Sequence, residues 1–572
     1  MPKSMKKNMW VPFLGRAGWK LLLAIVGLVY VVSRVPRENS NFLIKESIVE
    51  TADVEGLDAA VEQFYLDLFR SINQYRPMNP PAKKQKLVFK DKCTLVAPIS
   101  VEETSDDTLK QLSYMTLDYC FHLSPTQTNN LKTAHNGYCR RVETLFGSLD
   151  EYLRDSLMPR YKGIVTLGGN ERTLSLLASI PRLRKMGSTL PIEVIFPPYV
   201  SNEDKFCDDF LPRYNGKCIY MSKALPEYVL KAHKFDEKMI RMFTPLVSTF
   251  KSILYMESND FANTNVDKAF DSKSFTDTGL VLWPGRSRRS TSPAFYQIVN
   301  RKIDLNNRTR NLADDVSRPT RYTSQALENI QFNLLAHTPM HDLDGAIPDA
   351  VTHVGHYMID KQKHFKTLML AMYYAVHGEM WFDMMFAPEK GSSGYRENIV
   401  AAAHALELSY YQVHLIPRSM RGGSKDTLQS GETFMHFDPD FDYRKHQALV
   451  DKVKSKLIDV HSFDRKYTAI RTFEKDLLAG NQDVKSIFIE MPSPQFDPLA
   501  LFFKAKSLQK LDRKDKVDDL MALERQNYSN LMEVLCRDTD PLVLQMMVNH
   551  PSKYKMKDMC VYLKKIVTSL KV

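Results

Sequence analysis

Residues 251–293 read KSILYMESNDFANTNVDKAFDSKSFTDTGLVLWPGRSRRSTSP. Residues 252–256 form a short apolar run with β-branched and aromatic side chains, the pattern of a buried strand. The run stops at Glu257, Ser258, Asn259 and Asp260. An acidic turn at the carboxyl end of a buried strand sits where open α/β sheets bind ligands. Its oxygens suit Mg²⁺ or Mn²⁺ holding a nucleotide diphosphate. A polar turn that merely closes a core strand is the competing reading, so the neighbouring sequence has to decide. A second strand is predicted over 278–283.

Working outward, residues 164–167 read as a buried strand, Gly168, Gly169 and Asn170 as a tight turn, and 171–185 as a helix. Leu174, Leu177, Ile180 and Leu183 give that helix its apolar face, and Pro181 is expected to kink or divide it. Residues 192–196 form the next strand. Strand, glycine turn, helix and strand begin a parallel nucleotide-binding sheet. The glycines let backbone approach a ligand, the helix N-terminus favours anions, and Arg172 is placed to face a diphosphate. The segment is neither a Walker loop nor the GxGxxG fingerprint.

The blocks GIVTLGGNERTLSLLASIPRLRKMGSTLPIEV, ILYMESNDF, AFDSKSFTDTGLVLWP, RRSTSPAFYQI and IDKQKHFKTLMLAMYYAVHG resemble, in order, the fungal Golgi α-1,3-mannosyltransferase family. The resemblance covers roughly residues 161–443. It implies a GT-A-like nucleotide-diphospho-sugar transferase fold with a mixed, mostly parallel sheet. It also implies GDP-mannose as donor, Mn²⁺ as metal, and α-1,3 transfer with retained configuration to N- or O-linked mannan glycoproteins. The family's Asp-x-Asp position reads Glu257-Ser258-Asn259 here, with Asp260 one place late. Carried over, Glu257 and Asp260 contact the metal and Asn259 faces metal or nucleotide; these are the expected catalytic residues.

Two further family segments are altered. PDAVTHVGHYMIDKQKH puts His353 at the family's Glu place and His356 at its Gln place. Two histidines three apart could bind a metal on a helix, or could be structural. Gly394-Tyr395-Arg396-Glu397 keeps the family's cation and acid in Arg396 and Glu397. These two join Gly168, Gly169, Asn170 and Arg172 as expected nucleotide-sugar contacts. In HFDPDFDY, strand alternation would put His436, Asp438, Asp440 and Asp442 on one face. His436 is then the expected last metal ligand, or the group is a strand edge kept soluble by charge. The altered motifs leave two functions open: an active transferase, or a degenerate paralog serving as a binding or assembly subunit in Golgi glycosylation.

The 572 residues are 44% hydrophobic and 25% charged, which excludes wholesale disorder. The net charge of +11 is scattered, with no basic stripe interleaved with aromatics, so nucleic acid is not an expected partner. Residues 1–20 are basic, and LLLAIVGLVYVVS (21–33) carries no charge. This reads as a signal-anchor helix after a cytosolic tail, with a cleaved signal peptide as its rival. The resemblance implies the former, a single-pass type II Golgi membrane protein. The expected organisation continues with a luminal stem over 34–92, carrying an amphipathic helix near 57–72, and a helical region over 93–160. The GT-A-like domain then spans 161–450 and a helical extension 451–572.

In a luminal address Cys207 can pair with Cys218 and Cys536 with Cys560. Sequons at Asn307 and Asn527 are compatible with that address. Residues 301–323 read as a polar surface loop. Arg288 and Arg289 are expected either on solvated surface or against phosphate or acceptor.

Overall fold

The computed structural model describes residues 58–78, 95, 97–200, 203–312, 314–318, 333–389, 393–420, 433–455, 485–491, 518–548 and 556–569. The expected tail, anchor and most of the stem lie outside these residues. Among the described residues no helix is long and apolar enough to cross a membrane.

A seven-stranded sheet has the order β10-β6-β9-β4-β1-β2-β3. Its strands are β1 (Arg160–Leu167), β2 (Ile192–Phe196), β3 (Gly216–Tyr220), β4 (Phe250–Met256), β6 (Leu280–Pro284), β9 (Thr352–Asp360) and β10 (Tyr411–Gln412). β1 runs parallel to β2 and β4, β2 to β3, and β10 to β6, while β9 alone runs against its neighbours β4 and β6. This is the mixed, mostly parallel α/β sheet expected. β2 is buried along its whole length, and β1 from Gly163 onward, which explains their unbroken apolar runs.

A second, antiparallel sheet has the order β11-β12-β13-β5, from β5 (Asp260–Ala262), β11 (Arg418–Ser419), β12 (Phe434–Phe437) and β13 (Ser486–Glu490). β5 starts at Asp260, the last residue of the acidic turn, so the turn joins the two sheets. β7 (Asp304–Arg308), which pairs antiparallel with β8 (Leu343–Asp344), lies in the stretch read as a surface loop. Arg308 is buried and paired with Asp342 at 2.7 Å, which anchors this two-stranded pairing.

The principal helices are α1 (Ala59–Gln74), α2 (Pro125–Gly147), α3 (Glu171–Lys185), α4 (Glu237–Val247), α5 (Lys361–Val376), α6 (Asn398–Ala405), α7 (Pro439–Lys454), α8 (Asp518–Leu535) and α9 (Met556–Ser569). α3 continues through Pro181 without division, because Leu177, Ile180 and Leu183 are buried and hold its face down. α1 packs on α4 and α5, with Tyr65 5.3 Å from Phe243 and Phe64 5.6 Å from Phe365 between ring centroids. α8 covers α3, with the Asn530 side-chain amide donating to the Ala178 carbonyl at 3.3 Å. Both expected disulfides are present, Cys207–Cys218 and Cys536–Cys560.

Three readings need correction. Residues after 444 are not helical throughout: β13 lies among them, its short apolar run SIFIE overlooked beside longer helical runs. Asp438, Asp440 and Asp442 do not lie on a strand with His436. β12 ends at Phe437, and Asp438 caps α7 by accepting from the N–H groups of Asp440 and Phe441 at 2.9 Å each. Finally, Arg288 and Arg289 are buried, the first 3.2 Å from Asp349 and the second paired with Glu397.

Candidate metal centre and sugar-nucleotide site

The acidic turn divides its two carboxylates between different partners. Glu257 is buried and accepts hydrogen bonds from Arg241 and the Tyr255 hydroxyl, while Arg172 Nε lies 3.9 Å away. Arg172 and Arg241 also share Glu237, at 2.5 and 2.7 Å. Arg241 is held above its ordinary value: burial works against its charge, but Glu257 together with Tyr255, Tyr395 and Glu237 outweighs it. The expectation that Glu257 is a metal ligand is corrected accordingly. Its carboxylate is neutralised by arginines, and it positions Arg172 and Arg241 instead. Asn259 beside it is partly exposed, and its carbonyl accepts from the Met491 N–H at 3.0 Å.

Asp260 turns into a different environment. It opens β5, where it stands opposite Glu490 of β13, and it is fully buried. Its Oδ2 is 3.0 Å from Nδ1 of His356, and its Oδ1 has no hydrogen-bond partner. Around it gather three imidazoles from three strand positions. Ring centroids are 4.6 Å apart for His353 and His356, 4.6 Å for His353 and His436, and 4.3 Å for His356 and His436. One ligating atom from each ring lies within 4.8 Å of the other two. His436 Nε2 is 3.3 Å from Oε2 of Glu490.

The sequence offered His353 and His356 as a pair only if helical, yet they lie on β9. Residues three apart on a regular strand face opposite ways. The β6–β9 register slips here, from Leu282 opposite Tyr357 to Trp283 opposite His353. That irregularity brings both rings to one side, as bulges do at strand ends near sites. Gly355 makes room for it: a Cβ there would stand 2.4 Å from His353 Nε2 and 2.9 Å from Asp260 Oδ2.

Burial lowers the basicity of all three histidines, that of His436 to about 4, so they are neutral imidazoles with lone pairs available. Burial likewise pushes the Asp260 carboxyl up. His353 Nε2, His356 Nε2, His436 Nδ1 and Asp260 Oδ1 are all buried without a partner. Such a group of orphaned acceptors is costly unless something satisfies them together. A divalent cation would do so and would relieve the penalty on Asp260. The carboxylates on the far nitrogens of His356 and His436 are the usual outer support of metal-binding imidazoles. The residues fit a metal ion.

The other predicted contacts divide as well. The Gly168 N–H donates to the Ile195 carbonyl at 2.9 Å, and that of Gly169 to the Thr173 hydroxyl at 2.8 Å. Both N–H groups are used within the fold and are not offered to a diphosphate. Gly169 (φ 99°) and Asn170 (φ 52°) turn the chain sharply into α3. Arg172, in the first turn, reaches Glu257 at the end of β4, so the glycine corner and the acidic turn share one sheet edge. Arg396 is exposed, and its charge is felt by His353. Glu397 is corrected as a ligand contact: it is buried, pairs with Arg289 and accepts from the Thr352 N–H at 2.8 Å. Glu490 was missed because its strand was missed.

Asn307 lies on β7 and is partly exposed. Asn527 is corrected as a glycan acceptor. It lies on α8 with no exposed surface, its amide directed to the Met491 sulfur at 3.9 Å.

The mixed sheet sets the histidine and carboxylate cluster at the carboxyl end of β4, where open α/β sheets bind ligands. A mannosyltransferase family model matches residues 161–438. MNN5 of Saccharomyces cerevisiae, an α-1,2-mannosyltransferase, is 34% identical over 450 residues, which is 77% of this chain and 76% of that protein. MNN2 of the same yeast, also an α-1,2-mannosyltransferase, is 29% identical over 84% of this chain and 80% of its own. The chain belongs to this fungal mannosyltransferase family. These relatives overturn the expected linkage: they are α-1,2- and not α-1,3-mannosyltransferases. The solved glycosyltransferase GlyE of Streptococcus pneumoniae aligns with a TM-score of 0.24 at 11% identity, over 44% of this chain and 45% of that one. That likeness is too slight to argue from.

Proposed function

We propose that this chain is an α-1,2-mannosyltransferase of GT-A-like architecture that takes mannose from GDP-mannose and adds it to mannose-bearing glycoproteins. The reading places it in the Golgi lumen, held by the uncharged segment at residues 21–33. One observation carries the catalytic part: three neutral imidazoles, each with a buried, orphaned nitrogen, converge where the acidic turn leaves the central sheet. The names of the relatives support the linkage and the sugar.

In this reading His353, His356 and His436 hold a divalent ion, with Asp260 at its edge and Glu490 orienting His436. A bound ion would neutralise charge on the leaving diphosphate. Three nitrogens make a softer donor set than the carboxylate turn the sequence suggested, which brings Zn²⁺ into contention beside Mn²⁺. The protein's own part is positioning. Glu257 fixes Arg241 through a hydrogen bond and holds Arg172 by charge across 3.9 Å, and Arg172 and the exposed Arg396 are the cations available to phosphate oxygens.

The test is GDP-mannose binding by the full chain with and without divalent ions, in wild type and in His436→Ala. Ion-dependent binding that the substitution abolishes supports the reading. A folded protein that binds no donor under any ion would instead favour a non-catalytic subunit of a glycosylation complex.

A further inference from the structure

A second convergence of histidines lies apart from the centre above. His414 follows β10, His446 lies on α7, and Asp315 belongs to the segment after β7. One ligating atom from each lies within 4.8 Å of the others. Oδ1 of Asp315 is 3.1 Å from His446 Nε2, and its Oδ2 is 3.8 Å from His414 Nε2. The two imidazoles stack with centroids 3.7 Å apart and planes 14° from parallel, presenting both Nε2 atoms to one carboxylate.

The outer support is already built. Asp442, buried and one helical turn before His446, lies 3.3 Å from His414 Nδ1. Its oxygens also accept from the N–H groups of His414 and Leu415 at 3.0 and 2.9 Å and from the Tyr411 hydroxyl at 2.7 Å. A carboxylate held this firmly fixes the ring so that Nε2 points outward, the arrangement found behind metal-ligating histidines.

We propose that Asp315, His414 and His446 form a second divalent-cation site, of zinc type, that bolts the segment around Asp315 to α7 and to the end of β10. Two imidazole nitrogens and one carboxylate oxygen are a borderline donor set suited to Zn²⁺. A tetrahedral ion with ligands at about 2.0–2.1 Å separates its ligand atoms by roughly 3.3 Å; one atom from each of the three side chains lies within 4.8 Å of the others, so a small inward movement brings them to that spacing. Asp315 is half exposed, so water completes the fourth position. The site is structural and does not depend on the transferase reading.

The test counts zinc in the full-length chain after chelation and dialysis against a zinc buffer. Asp315→Asn/His446→Gln is expected to hold one zinc per chain fewer than its parent. Because that double variant removes two ligands at once, Asp315→Asn alone, a change at an exposed carboxylate, is measured beside it. It is expected to bind this ion at least 10-fold more weakly, and zinc should raise the melting temperature of the parent more than that of the variant. Zinc content and zinc-dependent melting that are the same in the parent and in Asp315→Asn would overturn the proposal, leaving Asp315 as an ion-pair partner of two imidazoles.

Discussion

His356 Nδ1 lies 3.0 Å from Oδ2 of Asp260, and both side chains are buried, although one belongs to the main sheet and the other opens the small one. This contact fastens the acidic turn to β9 and leaves the second nitrogen of His356 directed at His353 and His436. The proposed metal centre depends on that orientation.

Glu490 supports His436 from behind. Glu490→Gln keeps the shape but weakens the acceptor, and loss of such an outer partner typically costs about 10–100-fold in metal affinity. Metal titration of the variant by calorimetry checks it.

Gly355→Ala places a methyl group where His353 Nε2 and Asp260 Oδ2 now approach. The expected outcome is loss of metal binding with the sheet retained, seen as an unchanged far-ultraviolet circular dichroism spectrum.

Glu397→Gln leaves the Arg289 charge buried with a weakened partner. Breaking a buried pair on one side costs on the order of 3–5 kcal/mol. Denaturant unfolding should show a loss of that order, reduced by whatever hydrogen bonding the amide keeps.

Stability should fall on acidification. His135, 2.8 Å from the Tyr374 hydroxyl, and His377, 3.2 Å from the Ile72 carbonyl, are both depressed by burial to about 4. The unfolded chain, with histidine near 6.5, binds protons first. Their contribution is therefore complete above about pH 6.5 and is lost as the pH drops toward 4. Thermal melts across that window should show the decline, and His135→Gln should flatten part of it.

Asn527 should carry no glycan, because α8 buries it against the core. Peptide mapping by mass spectrometry of protein from a eukaryotic host should find that peptide unmodified.

The sequence made the parallel core legible because β1, α3, β2 and β4 announce themselves locally, through unbroken apolar runs and a glycine turn. The helix through Pro181 shows the limit of local rules, since its buried face outweighs the proline. The metal centre was only half legible. His436 and Asp260 could be named singly, but their meeting needs β5 and β12 to flank β13, a pairing across more than two hundred residues. The His353–His356 pair was read at helical spacing because a strand irregularity leaves no mark in composition. Glu257 and Glu397 look like ligand carboxylates until the arginines facing them are placed in space.

The central claim is that the three imidazoles, rather than Glu257 of the altered acidic turn, hold the ion that the sugar nucleotide needs. Titration calorimetry of GDP-mannose into the full chain, with and without Mn²⁺ or Zn²⁺, tests it in wild type, His353→Gln/His436→Gln and Glu257→Gln. Binding that requires the ion, vanishes in the double histidine variant and persists with ion dependence in Glu257→Gln is the predicted result. Undiminished ion-dependent binding without those histidines would contradict it.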